Sequence, residues 1–171
     1  MKRATAALGF TLSLAALGAP AAHAQTAEIL DLVRGAARSG HAIESLLGSQ
    51  PAIAVPLATR PCATVGVIFQ SSGAREKGGP RIDNFRACAE AEPAPIDEVS
   101  PALPEDAAFK QQTHIAMRTA LRYGRQQLDW HGYRVEARRL SQADTHGCAQ
   151  LETIVSAQDL LVAYGIGRMC P

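Results

Sequence analysis

Residues 62–88 read CATVGVIFQSSGAREKGGPRIDNFRAC: an apolar run, a Gly-rich polar loop and a half-apolar run, with a cysteine at each end. Reflection about Arg75 sets Cys62 opposite Cys88, Ile68 opposite Ile82 and Val65 opposite Phe85. That is the pattern of a β-hairpin with a disulfide across its open end. Within the first run, Val65, Val67 and Phe69 share one face, and Thr64, Gly66 and Ile68 the other. A strand apolar on both sides is expected to be covered on both sides. The loop separates Gly73 from Gly78 as a phosphate-cradling loop would. Gly79 and Pro80 then stand where such a loop needs Lys and Ser or Thr, so it reads as a plain hairpin loop.

The chain has 171 residues and opens MKRATAALGFTLSLAALGAPAAHAQ. Lys2 and Arg3 precede a short apolar core, and Ala22-His23-Ala24 offers a small-x-small cleavage site. This is the pattern of a secretory signal peptide, residues 1–24. Its apolar core is shorter than the roughly 20 residues a membrane span needs. The remainder, 25–171, is 147 residues, enough for one periplasmic or secreted domain with a real core. Without Lys2 and Arg3, 15 of the 17 basic residues face 16 acidic ones, a net charge near −1. That balance gives no reason to expect nucleic acid or an anionic membrane surface as partner.

Four cysteines after a signal peptide read as a disulfide framework. Cys62–Cys88 with Cys148–Cys170 is the expected connectivity, because each pair brackets one local unit. Each bridge closes a loop of about twenty residues, worth roughly 3 kcal/mol in the chain-entropy model. No C-x₂₋₄-C pair is present to suggest zinc, and neither a metal nor a cofactor is expected.

Working outward, Ile29, Leu30 and Val33 recur at helical spacing, and so do Ile43, Leu46 and Leu47. With Gly48 as a stop, they predict short N-terminal helices. Three prolines in 50–61 predict an extended connector or an edge segment. Residues 90–106 hold six acids, four prolines and no base, an acidic Pro/Ala-rich arm. A long amphipathic helix is predicted over 105–130. Phe109, Ala116, Met117, Ala120, Leu121 and Leu128 form its core stripe, and His114, Arg118, Arg122 and Arg125 a basic ridge beside it. That ridge is the candidate binding surface, for the acidic arm or for an acidic partner. Alternation over 130–140 predicts a strand. Ser156 and Asp159 suggest a capping box opening a last helix through Leu160, Leu161 and Tyr164. No internal repeat is visible.

These elements predict an α+β fold. A small antiparallel sheet with the disulfide-closed hairpin would pack against the long helix and the short N-terminal helices. No catalytic residue is assigned, because no nucleophile, zinc or redox motif is present. Export, small size and a disulfide frame point to a non-catalytic protein that binds another protein in the cell envelope. Such a protein would be an inhibitor, an immunity-type factor or an accessory of an envelope or secretion assembly. The alternative is a small hydrolase or metal-dependent enzyme using His131 beside Asp129, or His146 between Asp144 and Cys148.

Overall fold

The computed structural model describes residues 20–58, 61–70 and 80–171. Most of the expected signal peptide and the tip of the 62–88 hairpin lie outside the described residues. Among the described residues the fold is mixed, with two antiparallel sheets, two helices and two disulfides.

A helix, α1 (Pro20–Ser39), is followed by β1 (Ile43–Leu47), β2 (Gln50–Ala58), β3 (Cys62–Phe69), β4 (Arg81–Cys88) and a two-residue β5 (Ala94–Pro95). These five strands form the first sheet in sequence order. The β3–β4 register is the expected one, with Cys62 opposite Cys88, Val65 opposite Phe85 and Ile68 opposite Ile82. A second helix, α2 (Ala107–Tyr123), then precedes β6 (Arg125–Trp130), β7 (Tyr133–Arg139), β8 (Ala149–Ala157) and β9 (Leu160–Met169). These four strands form the second sheet, again in sequence order.

The two halves repeat one plan, a helix followed by a four-stranded meander, although their sequences do not repeat. The disulfides mark the correspondence. Cys62 begins the third strand of the first meander and Cys88 ends its fourth, while Cys148 and Cys170 immediately flank β8 and β9.

Each sheet buries one face under its own helix. Leu32, Val33 and Ala36 of α1 pack on Ala54, Val65, Val67, Phe69 and Phe85. Phe109 and Ala116 of α2 pack on Val135, Val155 and Val162, and Ala120 and Leu121 on Ala137 and Leu151. The opposite faces meet through Ile53, Val55 and Ile68 of the first sheet and Ile154 and Leu161 of the second. The layers therefore run α1, first sheet, second sheet, α2. This explains why β3 is apolar on both faces.

β9 makes the contact between sheets, touching β2, β3 and β4. Leu161 sits on Gly66 of β3 and bonds Asn84 of β4, and Tyr164 feels the charge of Glu44 on β1. β9 thus crosses the strands of the first sheet rather than following one of them.

Several expected elements differ. Residues 43–47 form a strand, not a second helix. Their apolar spacing fits a helical stripe by coincidence, but Gly40 at φ 68° ends α1 first. β2 is an interior strand despite Pro51 and Pro56. Pro51 lies at the strand end, where its carbonyl accepts Gln70 N–H at 2.9 Å, and Pro56 lies at a register shift. Neither position requires the amide that proline lacks. α2 stops at Tyr123, short of Trp130, because Gly124 takes φ 90° and caps the helix through its N–H to the Ala120 carbonyl, 2.7 Å away. The expected last helix is the β8–β9 hairpin. Gln158 and Asp159 hold φ of 52° and 60°, the backbone of a type I′ turn.

The acidic arm is tied down. β5 pairs with β4, and Ile96 N–H donates to the Asn84 carbonyl at 2.8 Å. Farther along, Ser100 Oγ accepts from Asn84 Nδ2 at 2.8 Å and donates to the Leu161 carbonyl at 2.9 Å. The Asn84 side-chain oxygen accepts Leu161 N–H at 2.8 Å. Asn84, 5% exposed, thus joins β4, the arm and β9. The arm is a strap across both halves.

Candidate functional site

α2 presents the basic ridge. Asp106 caps its start, accepting Phe109 N–H at 2.7 Å. The cap and the Gly124 stop fix a rigid 17-residue helix whose inner face is anchored by Phe109, Ala116, Ala120 and Leu121. Packing of that face decides which residues point outward.

Two rows run along the outer face at four-residue spacing. His114, Arg118 and Arg122 form one, and all three are exposed. Ile115, Thr119 and Tyr123 form the other, in which Ile115 is 48% exposed and Tyr123 is 79% exposed. Among the described residues no ion pair engages His114, Arg118 or Arg122. The fourth residue of the predicted ridge lies elsewhere. Arg125 begins β6, beyond the helix stop, and pairs with Glu136 at 3.0 Å on the sheet face turned away from α2. The acidic arm does not reach the ridge either. Among the described residues its one ion pair joins Glu92 to Arg34 of α1 at 3.6 Å.

The apolar row is what sequence reasoning missed. A core stripe continued to Leu128 leaves Tyr123, the residue just before the break, unassigned. The two four-residue steps from Ile115 through Thr119 to Tyr123 are the signal present in the sequence.

The histidines of the two clusters lie exposed in separate turns. His131 sits exposed in the β6–β7 turn at φ 45°, edge-on to Trp130 with ring centroids 4.7 Å apart. Its neighbour Asp129 pairs with Arg134 at 3.2 Å. Asp144 accepts the backbone N–H groups of His146 at 2.9 Å and Cys148 at 3.0 Å, and it pairs with Arg168 at 2.6 Å. The Cys148 N–H first, then Arg168 and the His146 N–H, hold the Asp144 carboxyl below its ordinary value. Asp144 is thus a turn-forming acceptor, and Cys148 is bonded to Cys170. Among the described residues, no group of three or more His, Cys, Asp or Glu side chains is placed to hold a metal.

A second concave feature lies between the sheets. His41, Glu44, Arg138, Glu152, Tyr164 and Ile166 line a cleft of about 490 Å³. Glu152 is 4% exposed, and Arg138 Nε stands 2.9 Å from its carboxylate. Burial first, then the Glu152 charge, pushes the Tyr164 phenol above its ordinary value. The buried Glu152 is thus held against Arg138 inside the cleft.

Comparison with protein-family models, curated proteins and solved structures finds no match to the chain. Among the described residues no helix is long and apolar enough to cross a membrane.

Proposed function

We propose that this is a non-catalytic exported protein of the bacterial cell envelope, periplasmic or released, that docks another protein on the outer face of α2. In that role it serves as an inhibitor, an immunity-type factor or an accessory of an envelope or secretion assembly. One observation carries the reading: Tyr123 stands 79% exposed in a row with Ile115, beside the exposed cations Arg118 and Arg122. Tyr and Arg are the side chains that most often anchor protein interfaces, and charged rims steer association. A rigid, capped helix presents them at low entropic cost. The disulfides fit an oxidising compartment.

The test is affinity capture from envelope extract with the oxidised protein and two variants, Tyr123→Ala and Arg118→Glu/Arg122→Glu. The expected result is a reproducible partner retained by the parent and lost by both variants. Capture that is absent, or insensitive to both substitutions, ends the proposal.

A further inference from the structure

We infer that the partner of the α2 face is a second copy of this chain, which presents its acidic strap. The inference rests on the reading of α2 as a protein-docking face and names what docks there.

The strap has the composition the α2 face lacks. Asp97 and Glu98 precede Val99, which is 90% exposed, and Leu103, 45% exposed, is followed by Glu105. Among the described residues, no ion pair engages Asp97, Glu98 or Glu105. Among the described residues, four of the seven large exposed hydrophobic side chains, Val99, Leu103, Ile115 and Tyr123, lie on these two surfaces. One surface is apolar and acidic, the other apolar and basic.

Within one chain the two do not meet. The strap is held against β4 and β9 by Ser100 and Asn84, and the Tyr133 hydroxyl donates to the Ala102 carbonyl at 2.8 Å. The strap therefore keeps its place, and among the described residues Asp97, Glu98 and Glu105 form no ion pair with Arg118 or Arg122. Across two chains each surface finds its complement. Both are preorganised, one by helix capping and one by the strap's hydrogen bonds, so little ordering entropy opposes their contact. Apolar side chains on both sides supply burial, and opposite charges set the register.

The test is the mass of the purified, oxidised protein in solution, by light scattering after gel filtration, across concentration and at low and high salt. Self-association is expected at high concentration, weakening about tenfold or more as salt screens the charges. Arg118→Glu/Arg122→Glu and Asp97→Lys/Glu98→Lys are each expected to be monomeric, because each sets like charges opposite one another. All four side chains are exposed, and unchanged circular-dichroism melts verify the fold. Mixing the two variants pairs acidic strap with basic ridge and basic strap with acidic ridge, so association returns. A parent that stays monomeric at every concentration, or a mixture that fails to associate, overturns the inference. If capture by α2 from extract persists while the parent is monomeric, the docking face stands and only the identity of its partner is wrong.

Discussion

Gly66 shows how much a single missing carbon decides. It lies on the β3 face turned toward the second sheet, and a Cβ there would overlap the Leu161 side chain. Leu161 is fully buried, and its backbone carries the bonds to Asn84 and Ser100. The seat for Leu161 therefore exists only because position 66 is glycine. Gly66→Ala is expected to destabilise by about 1–3 kcal/mol through overpacking, read as a lower urea midpoint. Unchanged stability would mean the sheets can part without cost. The sequence placed Gly66 on the correct face of β3. It could not show what that face met, because Leu161 is 95 positions away and looked helical.

At the level of elements, reading succeeded where partners are near in sequence. The β3–β4 register follows from side-chain alternation and two cysteines. Reading failed where short apolar spacing fits two periods. Leu160, Leu161 and Tyr164 match a helix at i, i+1 and i+4, yet Gln158 and Asp159 in left-handed backbone make the segment a hairpin. The strap failed for another reason. Its acids and prolines do mark a segment without a buried face of its own. What fixes it is Ser100, one hydroxyl placed between Asn84 and Leu161. Ser100→Ala leaves the Asn84 amide and the Leu161 carbonyl without that partner, a cost of about 1–3 kcal/mol. The expected signs are a lower urea midpoint and earlier proteolysis within 96–106. Cleavage unchanged from the parent would show that β5 and Ile96 hold the strap without Ser100.

On the scale of the whole molecule, stability divides between two similar halves joined at one crossing of sheets. Each disulfide staples its own half, with sequence separations of 26 and 22. Replacing Cys148 and Cys170 by Ser is expected to cost about 3 kcal/mol, and the 62–88 pair a similar amount. With no partners shared between the bridges, the combined loss should be additive within about 0.5 kcal/mol, measured in urea melts. A larger departure would mean the bridges communicate through the Leu161 contact.

The order of the bridges has a consequence for biosynthesis. Each joins a cysteine to the next one along the chain. A polypeptide that meets an oxidant while emerging amino end first would couple its thiols in this order. The native pairing is then also the first one formed. Under that order no shuffling catalyst would be required, and the first bridge would close before the second pair of cysteines arrives.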